Sequence, residues 1–193
     1  MVRELLLLLL ITHLLNTGSN DKRIVKLTRA DIEIIIAANG SLELVDLSEM
    51  NLSGIEFQSI SFRNSDLRYV DFKGSDLSGC DFSLANLGGS NLTNANISSA
   101  CFREADLRWS ILKSAYAVSA NFSNAGMLES NLSEGDFSKT DFTGTDLRRC
   151  VLKNSMFNQA NFEQSNLAMA DFTNSDVKNV NFDSSNLYKT IFT

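Results

Sequence analysis

Large apolar residues recur at every fifth position from Leu42 to Phe192, without a single insertion or deletion. All 31 positions in this frame are apolar, and Ala117 is the smallest of them. A period of five fits neither the 3.6-residue period of a helix nor the two-residue period of a plain strand. The pattern therefore predicts a chain that runs briefly extended and then turns a corner, many times over.

The residues around each frame position are also regular. Two positions earlier the residue is usually small, as at Ser65, Ala85 and Ala125, and one position earlier it is usually Asp or Asn. The two positions after the frame residue are mostly polar, and Asp, Asn, Ser and Gly are the residues that tolerate tight turns. We therefore expect two inward residues per repeat, one large and one small, which together fill a narrow interior.

Frame residues twenty positions apart are chemically alike. One series is mostly phenylalanine: Leu42, Phe62, Phe82, Phe102, Phe122, Phe142, Phe162 and Phe182. The next is mostly leucine: Leu47, Leu67, Leu87, Leu107, Met127, Leu147, Leu167 and Leu187. Such series are expected if residues twenty apart stack, coil upon coil, so the sequence predicts four repeats in each coil.

Segments such as Ala105-Asp106-Leu107-Arg108-Trp109 and Ala85-Asn86-Leu87-Gly88-Gly89 resemble the A-(D/N)-L-x-x motif of the pentapeptide repeat family. The resemblance covers residues 41–193. It implies an all-β solenoid, a right-handed quadrilateral parallel β-helix of about seven to eight coils. With coils spaced like neighbouring strands, ~4.8 Å apart, the rod would be roughly 35–40 Å long.

Residues 1–40 precede the repeats and form a separate segment, which we expect to be a helical cap. Thr28 is the predicted N-cap residue of a helix in which Ile32, Ile35 and Ile36 share one face. Asn39-Gly40 is a typical helix stop. A solenoid's first coil exposes apolar side chains and unpaired edge groups, so a helix at this position would cover them.

The strongly apolar stretch Leu5–Leu15 has two interpretations. It is a helix of a cytoplasmic protein, or it belongs to a signal peptide over residues 1–19 that would export the protein. Glu4, His13 and the lack of an A-x-A cleavage site favour the cytoplasmic interpretation. The stretch is too short to span a membrane, so no transmembrane segment is expected.

The net charge of −6 belongs to the repeats, because residues 41–193 carry twelve basic and nineteen acidic side chains. An acidic surface argues against direct nucleic-acid binding through backbone phosphates.

Departures from the repeat recur every forty residues, which is the length of two coils. Apolar residues replace Asp or Asn at Ile111, Val151 and Ile191, and also at Tyr116 and Met156. Basic and aromatic side chains recur with the same spacing. The candidate interaction surface comprises Arg63, Arg68, Tyr69, Lys73, Arg103, Arg108, Trp109, Ile111, Lys113, Arg148, Val151 and Lys153. The alternative is that duplication of forty-residue blocks repeated these residues and that they have no function. Each arginine would then form an exposed ion pair with the nearby aspartate, which contributes little to stability.

The chain stops within the pattern, at Ile191-Phe192-Thr193. An open coil end that exposes Leu187, Ile191 and Phe192 should self-associate, so we expect a homodimer through the C-terminal coil.

Residues suited to catalysis are few, and no active site, metal site or cofactor is expected. His13 is the only histidine. Cys80 and Cys150 occupy small inward positions, whereas Cys101 replaces an outward Asp or Asn, so Cys80 and Cys101 should not form a disulfide.

The sequence therefore indicates a non-catalytic, rod-shaped interaction or scaffold protein with an unidentified protein partner. A second hypothesis is DNA mimicry, because the resemblance implies relatives that protect DNA gyrase with an acidic rod. The net charge of residues 41–193, −7, is small against the roughly twenty or more negative charges of duplex DNA of equal length. Two further hypotheses are an exported structural rod and an enzyme or binding protein with a site between the N-terminal segment and the first coils.

Overall fold

The computed structural model describes residues 27–38 and 40–193 of the chain. Its one described helix, α1, spans Arg29–Ala37. The predicted helix start is confirmed: Thr28 is the N-cap, its hydroxyl accepts from the Asp31 amide, and the Asp31 carboxylate accepts from the Thr28 amide. The stretch Leu5–Leu15, with both interpretations of it, lies outside the described residues.

Helix α1 packs its apolar face on the first coil. Ile32 and Ile35 are buried in the same core cluster as Leu42 and Leu47, and Ile36 packs against it half-buried. The Arg29 guanidinium donates to the carbonyl oxygen of Ser53, in a turn of the first coil. The amide of Gly40 donates to the Ile35 carbonyl, which satisfies one of the last carbonyl groups of the helix.

The repeats form a solenoid with twenty residues in each coil. Every fifth residue from Asp46 to Asp171, one position before a frame residue, forms a parallel bridge with the residue twenty positions later. Each bridge is isolated, so within the described residues no strand is longer than one bridging position. The register runs unbroken to Ile191 and confirms the prediction of four repeats per coil.

The four bridging positions of a coil define four walls. Wall A carries Ser61 and every twentieth residue from it, wall B carries Asp66, wall C carries Asp71 and wall D carries Asp76, each with its own twenty-residue series. Two turn residues follow each frame residue and form the corner between consecutive walls. Arg68 and Tyr69 therefore belong to corner BC, and Lys73 to corner CD.

Phenylalanine rings fill the interior as predicted. Rings of the wall A column lie nearly parallel, with centroids 4.7 Å apart for Phe82 and Phe102 and 4.7 Å apart for Phe102 and Phe122. The spacing equals the distance between neighbouring strands, so each coil places one ring directly on the previous one. The side chains of these phenylalanines are fully buried.

The small inward position contains hydroxyl residues as well as alanine because a hydrogen bond is available there. Thr145 Oγ1 donates to the Phe122 carbonyl at 2.7 Å, and Ser130 Oγ donates to the Leu107 carbonyl at 2.7 Å. The acceptor lies 23 residues earlier in both cases, on the preceding coil. A buried hydroxyl group needs such a partner, so serine and threonine can alternate with alanine.

The second turn residue of nearly every repeat has a positive φ. Glycine occupies this position at Gly89, with φ +69°, but Tyr69 and Trp109 occupy it too, with φ of 57° and 60°. This left-handed conformation costs an ordinary residue roughly 1 kcal/mol. Bulky residues adopt it here because the ladder bonds on both sides of the corner fix the path of the chain.

Candidate interaction surface

Ten of the twelve predicted surface residues lie on one strip of the rod. This strip consists of wall C and its two flanking corners, and we call it the C strip. Corner BC holds Arg68, Tyr69, Arg108, Trp109 and Arg148; wall C holds Ile111 and Val151; corner CD holds Lys73, Lys113 and Lys153. Arg63 and Arg103 lie apart from the others, on the corner between walls A and B.

Aromatic side chains project from corner BC. Tyr69 is 64% exposed and Trp109 is 52% exposed. The Tyr69 ring lies over Gly89 of the next coil, where an added Cβ would come within 2.5 Å of the ring. The Arg108 guanidinium lies 5.2 Å from the centre of the Trp109 ring, which is a cation–π distance. Gly89 thus leaves room for the large side chain of Tyr69 from the preceding coil.

The three arginines at the first turn position of corner BC share one geometry. Each guanidinium donates two hydrogen bonds to the aspartate two residues earlier, and the Nε–Oδ1 distance is 2.8 Å in the Asp66–Arg68, Asp106–Arg108 and Asp146–Arg148 pairs. Hydrogen bonds from arginine are the main cause that lowers the pKa of all three carboxyl groups. These ion pairs were expected from the sequence, and they neutralise the corner locally.

The lysines of corner CD reach carboxylates on the next coil. Lys113 Nζ lies 3.1 Å from Glu134, and Lys153 Nζ lies 2.9 Å from Asp171. Lys73 has no carboxylate within 4 Å among residues 27–38 and 40–193. Outside the strip, Arg63 pairs with Asp81 at 3.2 Å. These pairs are exposed, so each contributes little to stability.

Wall C carries exposed apolar residues on alternate coils. Ile111 is 42% exposed and Val151 is 38% exposed, and the Asn131 between them is half-buried. On wall D the same two coils expose Tyr116 and Met156. The coils that break the motif on one wall therefore break it on the next wall too.

The loss of Asp or Asn at Ile111 and Val151 has a backbone consequence that residue types alone did not reveal. Where wall C carries Asp or Asn, the side chain accepts from the amide two residues later, at 3.0 Å from Lys73 to Asp71 and 3.0 Å from Ser133 to Asn131. Among the described residues, nothing accepts from the corresponding amides of Lys113 and Lys153. Each apolar substitution thus leaves an unpaired amide beside a lysine.

A depression of about 380 Å³ lies on corner BC, over the coil of Arg148 and the coils on either side of it. Its lining residues are Leu128, Glu129, Arg148, Arg149, Ala168 and Met169. Arg149 pairs with Glu129 at 3.0 Å. The only signal for this feature in the residue pattern is the small Ala168, which alternates with larger residues in its column.

The C-terminal coil is open at the end of the rod. Leu187 and Phe192 are each at least 40% exposed, whereas the equivalent residues of the preceding coil, Leu167 and Phe172, are buried. Ile191 is bonded to Asp171 in the ladder and is about as exposed as Ile111 on an earlier coil. The exposure of this end follows from the absence of a further coil among the described residues.

The cysteines occupy the positions that the frame predicts. Cys80 and Cys150 are buried thiols, and burial raises the pKa of both to about 12. Cys101 is half-buried on wall A, 3.3 Å from Ser83 Oγ. All three are free thiols.

The described part of the chain, residues 27–38 and 40–193, has neither a metal cluster nor a membrane span. No group of three or more His, Cys, Asp or Glu in this part could hold a metal ion. No helix in the same part is long and apolar enough to cross a membrane. His13, the one histidine, lies outside the described residues.

Solved structures of similar proteins were found at low sequence identity. HetL of the cyanobacterium Nostoc sp. strain PCC 7120, a protein involved in heterocyst differentiation regulation, is 19% identical over 86% of this chain and 94% of its own, with a TM-score of 0.45. QnrB1, a plasmid-mediated fluoroquinolone resistance protein, is 17% identical over 73% of this chain and 88% of its own, with a TM-score of 0.49. Rfr23 of the cyanobacterium Cyanothece 51142 is 23% identical over 72% and 91%, with a TM-score of 0.32.

No curated protein sequence matches the chain. The family model described as Pentapeptide repeats does match, in eight copies over residues 41–83, 75–113, 118–154 and 155–193. The matches cover well over half of the chain and lie within the part of it that forms the bridged coils. The chain therefore belongs to the pentapeptide repeat family.

Proposed function

We propose that this protein is a non-catalytic rod that binds another protein, as an interaction or scaffold protein, through the C strip. Its finer architecture would be a right-handed quadrilateral β-helix over residues 41–193, closed at its first coil by an N-terminal helical cap within residues 1–40. Burial of Ile32 and Ile35 on the first coil supports the capping role of α1.

One observation carries the proposal: the C strip combines exposed aromatic, apolar and basic side chains, and the combination recurs on alternate coils. Tyr69, Trp109, Ile111 and Val151 lie there beside arginines and lysines. Tryptophan, tyrosine and arginine are the residue types that dominate binding energy at protein interfaces. The arginines are held in place by aspartate, so little side-chain entropy would be lost on binding.

The partner experiment is a pull-down from the native host with a strip variant, Arg108→Glu with Lys113→Glu. We expect recovery of the specific partner to fall at least about ten-fold, because both charges lie on the middle one of the three coils that carry the strip residues, one on each flank of wall C. The matched control is Lys139→Glu with Lys178→Glu, which makes the same charge change beyond wall D and should leave recovery unchanged. Equal recovery with both variants would refute the C strip as the interface.

The open C-terminal coil supports a second interface, between two copies of this chain. We expect the mass measured by light scattering to rise towards that of a dimer with concentration, since Leu187 and Phe192 are exposed at the rod end. Leu187→Lys should keep the protein monomeric. Leu44→Lys changes a still more exposed leucine near the other end and should not affect the mass. A monomer at all concentrations would contradict the proposal.

A second proposal, which has less support, is that the rod protects gyrase by mimicking DNA. The ion pairs of Asp66, Asp106 and Asp146 with arginine interrupt the acidic series on wall B. Export as a structural rod depends on residues 1–19, which lie outside the described residues.

A further inference from the structure

Asp136 on wall D lies between two exposed apolar side chains. It is bridged in the ladder to Tyr116 of the preceding coil and to Met156 of the following coil, so each neighbour is about 4.8 Å away along the rod. Tyr116 and Met156 are exposed, and Asp136 is half-buried. The two apolar residues belong to the same coils as Ile111 and Val151 of the C strip, on the other side of corner CD. The carboxylate therefore adjoins the proposed interface.

Four other wall aspartates accept a hydrogen bond from the side chain eighteen positions earlier, which lies on a corner of the preceding coil. Two of these donors are basic and two are amides, and the donor atoms lie 2.9 to 3.2 Å from the carboxylate oxygens. The pairs are Gln58–Asp76, Arg63–Asp81, Lys153–Asp171 and Asn158–Asp176. The corner residue eighteen positions earlier is thus a regular source of a donor for a wall carboxylate.

This donor is missing at Asp136, where the residue eighteen positions earlier is Val118. Among residues 27–38 and 40–193, the carboxylate accepts only from the Ser138 amide, at 3.0 Å. No basic group of those residues lies within 4 Å of it, including Lys139 on the adjoining corner between walls D and A, corner DA. Asp46 of the first coil also lacks a side-chain donor in the described part of the chain, but no exposed apolar residue flanks it on its wall.

A partner that covers the two apolar side chains of wall D also covers the carboxylate between them. Removing a carboxylate from water without a positive partner is strongly unfavourable, so such a partner has to supply a cation. Wall C contains the matching arrangement within the rod itself. There Asp171 lies between Val151 and Ile191, and Lys153 Nζ lies 2.9 Å from its carboxylate.

We propose that wall D binds an arginine side chain of the protein partner between Tyr116 and Met156, where its guanidinium pairs with Asp136. A planar guanidinium can donate two parallel hydrogen bonds to a carboxylate and can also lie on an aromatic ring, so arginine suits this site better than lysine. This inference rests on the proposed function, because the partner that binds the C strip would carry the arginine.

The binding test uses two capped tripeptides, Leu-Arg-Leu and Leu-citrulline-Leu, which differ in charge but little in shape. The full-length protein carries carbon-13 methionine methyl groups, so Met156 reports on the site and the exposed Met169 of corner BC is the internal control. We expect the Met156 signal to shift saturably, with at least about five-fold tighter binding of the arginine peptide. Equal affinity of the two peptides, or equal shifts of the two methionines, would overturn the inference.

Asp136→Asn removes the charge and should lower the affinity for the arginine peptide to that for the citrulline peptide. The turn should be kept, because Asn96 on the same wall accepts from the Ser98 amide at 3.1 Å. The matched control is Asp141→Asn on wall A, which also lacks a basic partner among the described residues but lies between two asparagines. This control should leave the affinity unchanged. An equal loss with both variants would mean that general acidity attracts the peptide, and the inference would be wrong.

A third variant fills the site from within the rod. Val118→Lys places an ammonium group at the position from which Lys153 reaches Asp171, so it should pair with Asp136. We expect the affinity for the arginine peptide to fall at least about five-fold while the fold is kept, since an exposed ion pair changes stability little. Val118→Met is similar in length but uncharged and should bind the peptide normally. Unchanged affinity of Val118→Lys would contradict the proposed site.

The inference and the proposed function can fail separately in the pull-down from the native host. We expect Asp136→Asn to lower recovery of the partner at least about five-fold and Asp141→Asn to leave it unchanged. Full recovery with Asp136→Asn but loss with the strip variant would overturn the inference and leave the C strip as the interface. Full recovery with all of these variants would overturn the proposed function as well.

Discussion

Replacing Phe122 with alanine is expected to lower the free energy of unfolding by about 3–5 kcal/mol. Phe122 is fully buried and stacks between Phe102 and Phe142, with ring centroids 4.7 and 5.2 Å away. Alanine would leave a cavity in the middle of a continuous ring column. The ladder bonds of the surrounding walls prevent the coils from closing around it, so the cost should lie in the upper part of that range. Chemical denaturation followed by circular dichroism measures the change.

Phe122→Leu is the matched control for this prediction. The wall A column begins with a leucine, Leu42, so leucine is compatible with the backbone at this position. It removes the ring but keeps most of the apolar volume, and we expect a cost of less than about 1.5 kcal/mol beyond the change in transfer free energy. If alanine and leucine were equally destabilising, stacking geometry rather than filled volume would hold the column together.

Most of the solenoid could be predicted from the sequence because the spacing of its residue types gives the register of the coils. A period of five gives the corners, and the Phe and Leu series at twenty-residue spacing give the coil. The bridges from Asp46 to Ile191 follow that register without exception. Each coil contacts only its neighbours, so one local rule repeated along the chain determines the whole rod.

Backbone strain and cross-coil bonds were harder to predict. The sequence predicted turns at two mostly polar positions after each frame residue but no backbone conformation for them, and Trp109, Tyr69 and Leu84 adopt positive φ at the second. The ladder overrides the preference of the individual residue, which a single-residue argument cannot show. The bond from Thr145 Oγ1 to the Phe122 carbonyl also joins residues that sequence spacing alone does not pair.

The candidate surface was predictable in its residues but not in its arrangement. The forty-residue recurrence identified Arg108, Trp109 and Ile111, and the coil register places them on one strip. Arg63 and Arg103 recur with the same period but lie on a different corner, because turn residues five positions apart belong to different corners. The unpaired amides could have been inferred from the missing Asp or Asn, once the role of that side chain in the turn was known.

Removal of one whole coil should be tolerated, whereas removal of a single residue should not. Deleting residues 83–102 joins Phe82 to Arg103, which keeps every later residue in its column because coils contain twenty residues. We expect this shortened rod to unfold cooperatively, with stability reduced only by the contribution of one coil. Deleting Ser99 alone moves every later residue by one position, so the frame residues from Phe102 onward would leave the interior.

Each side of the rod needs all five residues, because two of them turn the corner and three cross the wall. A side that is one residue short cannot close the corner, and a bulge cannot replace a missing residue since bulges accommodate extra ones. The Ser99 deletion should therefore cost at least as much as Phe122→Ala, about 3–5 kcal/mol, and should lose the ladder beyond that corner first. Hydrogen exchange resolved along the chain would locate the loss: we expect protection before Ser99 and little after it. Equal stability of the two deletion variants would show that the five-residue frame does not hold this rod together.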